Sequence, residues 1–245
     1  RQDQAISDVA LPSGQLRRLG AGAARLSGAA DRVCNRIIDQ AVEWHSAGYA
    51  SVTMVDFANL PQSFWVLVMR RLIMAVGGGQ YGAATMALDR LRQRCDAGVS
   101  ATIGGCHFSP ITASSPRHAS AANYHLFRET GRKVIDVPVA AGQEAVFAGC
   151  WLVKSAQAGT VHSWADTPQI QVDSGAASYA KPMPDGWHLL PHRARQAIPV
   201  LTTLDGRSIY PQLKGDQNTR PPATMAARFL GLARRPTFLA DTLIG

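Results

Sequence analysis

The hydrophobic period of this chain changes once, near Gly98, and that change constrains its architecture more than any single motif. From Leu19 the apolar positions run Leu19, Ala23, Leu26, Ala30, Val33, Ile37, Ala41 and Trp44, in steps of four and three. That spacing keeps one face of a helix apolar, so it predicts an amphipathic helix ending near Gly48. Tyr49 to Phe57 reads as a short extended stretch. Pro61 suits the first turn of a second helix, apolar on nearly all sides through Val76 and therefore buried. Leu88, Leu91 and Cys95 carry a third helix from about Ala83, and Gly98 is placed to stop it.

Beyond Gly98 the period falls to two. Tyr124, Leu126 and Arg128 alternate with His125 and Phe127, and Val146 to Val153 forms another such run. Ile111 to Ala122, rich in Ser, Ala and Pro, reads as a hairpin loop or a disordered insertion, and Thr167 to Pro184 as a linker. From Trp187 to Leu213 a turn of helix precedes strand Val200 to Leu204, a turn at Asp205-Gly206 and strand Ser208 to Tyr210. The expected class is α+β, an N-terminal helical domain followed by a small β-containing region. Its expected divisions are a helical domain 1–98, a β-rich region 99–166, a linker 167–184 and a C-terminal αβ unit 185–245 with a basic tail.

No apolar run approaches the roughly 18 residues of a membrane span; the most apolar, Phe64 to Val76, is broken by Arg70 and Arg71. Cys34, Cys95, Cys106 and Cys150 form no CxxC pair and read as scattered buried thiols of a reducing, cytoplasmic protein. The first residue is arginine, so the chain reads as part of a longer one. Twenty-five Lys and Arg against seventeen Asp and Glu leave a net charge of +8, which favours polyanionic partners but is also compatible with plain solubility.

Catalytic signatures are missing. The sequence contains no GxSxG elbow, no HExxH and no GKS/T. Gly77-Gly78-Gly79-Gln80-Tyr81-Gly82 follows a helix, whereas phosphate-cradling loops follow a strand, so it reads as a helix stop. Cys106, His107, His118, His125, Cys150 and His162 supply metal-ligand types without ligand spacing. Cationic residues are better organised: Arg18, Arg25 and Arg32 recur every seven residues, with Arg36 one turn on, as a stripe flanking the first apolar seam. Such a stripe suits phosphate contacts or is simply a solvated helix face.

Several stretches resemble the segment that follows the catalytic domain in alphaproteobacterial tRNA(Ile)-lysidine synthases. They are Trp44-His45-Ser46-Ala47-Gly48-Tyr49-Ala50, Leu60-Pro61, Arg71 to Tyr81 and Thr102-Ile103-Gly104-Gly105-Cys106, in matching order and spacing. Arg128-Glu129-Thr130-Gly131-Arg132 resembles the family's Arg-Glu-x-Gly-Arg segment, and Pro191 to Leu213, with Ala197-Ile198-Pro199-Val200-Leu201 before Asp205-Gly206, resembles its C-terminal unit. The likeness covers nearly the whole chain. It departs at Phe147-Ala148-Gly149-Cys150-Trp151, where related sequences tend to carry Trp-Asp-Gly-Arg-Phe.

The resemblance implies a cytoplasmic ligase that activates the wobble cytidine of an isoleucine tRNA with ATP and Mg and joins lysine to it. Its SGGxDS loop is absent here, so ATP and lysine sites would belong to a separate N-terminal catalytic domain, and this chain alone is expected to be inactive. Its own expected role is gripping tRNA(Ile), where shape and phosphate contacts dominate recognition. The expected contact residues are Arg18, Arg25, Arg32 and Arg36, then Arg128, Arg132 and Lys133, then His192, Arg193 and Arg195. The alternative is a basic interaction or structural fragment with no RNA role.

Overall fold

A computed structural model describes residues 13–79, 82–111, 123–130, 136–167, 170–173, 177–180, 186–211 and 225–229, the side chains of 13–20, 170–173, 177–180 and 225–229 excepted. The fold is α+β, with helix first and antiparallel strands after. In chain order the elements begin with α1 (Ser13–Ala41), β1 (Val42–His45), β2 (Tyr49–Thr53), α2 (Val55–Ala58), α3 (Gln62–Gly77) and α4 (Thr85–Asp96). Next come β3 (Ala101–Ile103), β4 (Cys106–Pro110), β5 (Asn123–Arg128), β6 (Val137–Val139), β7 (Glu144–Phe147), β8 (Trp151–Ser155) and β9 (Gly159–Ser163). The last are β10 (Ile170–Asp173), β11 (Ala177–Ala180), α5 (His192–Ala197), β12 (Pro199–Thr203), β13 (Ser208–Ile209) and β14 (Met225–Phe229).

The first helix is shorter than its apolar spacing suggested. It stops at Ala41, and Val42 to His45 turn back through Gly48 (φ 83°) to pair with Tyr49–Val52. Trp44 therefore reaches the core from a strand, still on the side that the helical spacing assigned to it. The seam is rotated as well. Cys34, Ile38 and Ala41 are buried, whereas Leu26 and Val33 are 75% and 45% exposed, because the body of the protein meets only the last turns of α1.

The β1–β2 hairpin joins a five-stranded sheet in the order β1-β2-β5-β4-β3. Residue 98, the expected division, falls between α4 and β3, and strands from both sides of it pair in this sheet. Ala50, Val52, Phe108, Tyr124 and Leu126 face the helices and share one core with Trp65, Met69, Leu72 and Ile73 of α3. A fully buried side chain of this kind contributes about 1.5–3 kcal/mol, so α3, apolar on nearly all sides, is the helix around which the unit is built. It ends at Gly78, whose φ of 71° and N–H to the Met74 carbonyl (3.0 Å) close the last turn, the stop expected from the glycine run.

A second core lies between two further sheets, β13-β12-β9-β6 and β14-β8-β7, and holds Phe147, Trp151, Val153, Val161 and Leu201. The run Val146 to Val153 is a hairpin, reversed at Ala148 (φ 55°) and Gly149 (φ 72°). Within the expected linker, Ile170–Asp173 pairs with Ala177–Ala180. The expected loop lies outside the described residues from 112 to 122, and the basic tail outside them apart from β14.

Glycines let these units meet. A Cβ on Gly78 would overlap the Ala148 carbonyl, one on Gly149 would overlap the Gly78 carbonyl, and one on Gly48 would enter the Trp151 indole. On Gly77 it would stand 2.7 Å from the Gly104 carbonyl oxygen. Gly77 and Gly78 thus pack the end of α3 against the β3–β4 and β7–β8 turns, while Gly48 seats the β1–β2 turn on Trp151 of β8.

Candidate nucleic-acid interface

The cationic side chains divide by what the fold leaves them free to do. On α1, Arg25, Arg32 and Arg36 are exposed, while the helix contributes Asp31, Asn35 and the Asp31 carbonyl to Arg71 of α3. Arg71 is only 5% exposed, and its guanidinium pairs with the Asp31 carboxylate and donates to Asn35 Oδ1 at 3.2 Å. Arg32 and Arg36 thus each follow a residue, Asp31 or Asn35, that ties the helix to α3. Residues seven apart along a helix are about 10 Å apart and nearly aligned, so Arg25 and Arg32 project in one direction. Arg18 lies on the same helix, with its side chain outside the described atoms.

Arg128 has a different task. It is half-buried at the end of β5, and its Nη1 donates to the Ala148 carbonyl at 2.5 Å and approaches Cys150 Sγ at 3.4 Å. It ties the first sheet to the β7–β8 turn. Arg132 and Lys133 lie outside the described residues. His192 and Arg193 are exposed on α5, and Arg195 is half-buried on it.

Helix α5 packs against the sheet face that the long helices leave open. Ala194 and Ile198 join Trp187 over Tyr49 and Phe127. Beside this cover the sheet presents a polar aromatic patch: His45 stacks on Tyr49 (4.1 Å, 14°), and Ser51 Oγ lies 2.6 Å from His45 Nε2 and 3.1 Å from His125 Nδ1. A serine between two imidazoles suggests nucleophilic chemistry, but the geometry lacks the orienting carboxylate. Glu43 stands 4.0 Å from the same Nε2 that meets Ser51, not behind the ring. Burial lowers the pKa of His45 and of His125, and the neighbouring His45 charge lowers His125 further. Both rings are therefore held towards their neutral form, in which they stack and hydrogen-bond.

Sequence reasoning missed a second cationic feature. Between α4 and the β3–β4 hairpin is a cleft of about 430 Å³ lined by Arg90, Arg94, Ser100, Thr102 and His107 over Leu91 and Ile103. Arg94 Nε and Nη2 donate to the Ser100 carbonyl at 2.9 and 2.6 Å, fixing its guanidinium at the rim. Thr102 and His107 are cross-strand partners joined between Oγ1 and Nδ1 at 2.9 Å. The His107 pKa is lowered by burial and then by Arg193, which places the field of α5 at the same spot; Glu129 opposes it. Arg90 and Arg94 stand one turn apart, a signal visible in the sequence, but the hairpin facing them depends on the tertiary fold.

No protein-family model and no curated protein matches the chain. Among the described residues no group of three or more His, Cys, Asp or Glu comes together to hold a metal ion, and no helix is long and apolar enough to cross a membrane.

Proposed function

We propose that this chain is the tRNA-gripping portion of a cytoplasmic tRNA(Ile)-lysidine synthase, acting beside an ATP- and Mg-using catalytic domain that supplies the chemistry. The observation that carries the RNA-binding part is the exposure of Arg25, Arg32 and Arg36 along a helix that Arg71 ties to α3. Exposed guanidiniums on a positioned helix can meet phosphates without losing the contacts that hold the helix. The family part is supported by the resemblance, of whose stretches those around Gly48, Gly77-Gly78 and Gly104-Gly105 make close packing approaches. Filter binding of a tRNA(Ile) transcript at two salt concentrations tests the reading. Saturable binding that weakens steeply with salt is expected, and absence of saturable binding at low salt would overturn it.

A second reading, a protein-interaction module, is favoured by one feature of the same helix. Leu26 and Val33 are exposed on α1, and apolar side chains at helical spacing suit a partner helix or groove. Salt-insensitive capture of a protein partner with no tRNA binding would support it.

A further inference from the structure

We infer that the cleft between α4 and the β3–β4 hairpin holds a backbone phosphate of the bound RNA, a second contact separate from the α1 stripe. The inference rests on the RNA-binding reading above and extends it to residues outside the arginine stripe.

The lining has the composition that a phosphodiester needs. Arg90 and Arg94 bring two guanidiniums to one rim, and among the described residues no acidic side chain lines the cleft. Arg94 is already oriented by the Ser100 carbonyl, so its remaining N–H groups can approach an anion with little further ordering. Arg90 is exposed and makes no hydrogen bond or ion pair among the described residues. On the far wall, Thr102 and His107 supply a hydroxyl and an imidazole within one cross-strand pair. The floor of Leu91 and Ile103 gives an apolar surface for a sugar edge. Arg193 of α5, already among the expected contacts, acts on the His107 ring, where the Glu129 carboxylate opposes it.

The test is the salt dependence of tRNA(Ile) transcript binding for the wild-type chain, Arg90→Gln and Arg90→Lys, between about 50 and 200 mM salt. Replacing one phosphate-neutralising charge should flatten the slope of log affinity against log salt by about 0.7 to 0.9 units in Arg90→Gln, and Arg90→Lys should restore it. The His107 ring signals, followed by NMR, should move on adding RNA. A slope unchanged in Arg90→Gln, or a His107 signal that RNA leaves unmoved, overturns the cleft while leaving the α1 reading intact. A wild-type chain that does not bind the transcript overturns both. Inorganic phosphate at millimolar concentration is the control for source: a His107 response to it without any response to RNA shows a small-anion pocket and overturns the polynucleotide assignment.

Discussion

Arg71 of α3 pairs with Asp31 of α1, the residue before the exposed Arg32, so an ion pair joins the packing of Cys34, Ile38 and Ala41 in holding the helix that carries the stripe. Arg71 is buried and Asp31 partly so. Removing the acid would leave a guanidinium in the interior with only the Asn35 side chain and a backbone carbonyl as partners. Leaving a buried charged donor short of partners costs about 1–3 kcal/mol or more. Asp31→Ala should therefore lower the unfolding midpoint and, in hydrogen exchange, expose the amides of α1 before those of α3. Equal protection of the two helices in the variant would show that the pair does not position α1.

The glycine junction gives a second expectation, because its positions differ in what surrounds them. Gly78 and Gly98 both have positive φ, but a Cβ at Gly98 meets open space, whereas one at Gly78 meets the Ala148 carbonyl. Gly98→Ala should cost only the left-handed backbone penalty, about 1–2 kcal/mol. Gly78→Ala must also separate α3 from the β7–β8 turn, so its loss should be larger. Thermal unfolding of the two variants compares them directly, and equal midpoints would mean that the close approach is not stabilising.

His45 and His125 set a pH dependence whose sign follows from burial. Their pKa values lie below the ordinary histidine value of about 6.5 in the folded chain, whereas unfolding restores that value. Just below about pH 6.5 the unfolded chain binds more protons, so the stability these rings contribute is present at neutral pH and lost as pH falls. NMR titration should give depressed pKa values for both rings, and the denaturation midpoint should drop between about pH 7.5 and about pH 5.5. A midpoint that rises on acidification would contradict this arrangement.

Legibility in the sequence followed the range of the interactions. Helix α3 could be read because burial on all sides leaves an apolar run, and its glycine stop because the left-handed turn is a local requirement. The β1–β2 hairpin was hidden: Val42 to His45 is four residues long, and Trp44 satisfies the helical period and the strand alternation alike. Arg71 looked like an interruption of an apolar run because its partner lies 40 residues away. The same limit applied to Arg128, whose charge was visible but whose inward contact with Ala148 depends on two sheets meeting. The α4 cleft needed the β3–β4 hairpin folded against the helix before its cations had a shared purpose.

The α1 stripe yields the most direct test of the proposed function. Arg25 and Arg32 are exposed, and neither hydrogen-bonds to the buried Arg71 network that holds the helix. Their charge can therefore be removed with little effect on folding, since exposed substitutions usually stay within about 0.5 kcal/mol. If each neutralises one phosphate, it contributes about 0.7 to 0.9 units to the slope of log affinity against log salt. Changing both to Gln should flatten that slope by up to about two units and weaken binding most at low salt. The thermal midpoint serves as the control that the helix is still docked. A flattened slope with an unchanged midpoint assigns the stripe to the RNA. An unchanged slope with an unchanged midpoint makes it a solvated helix face, and the RNA contact must then come from elsewhere on the chain.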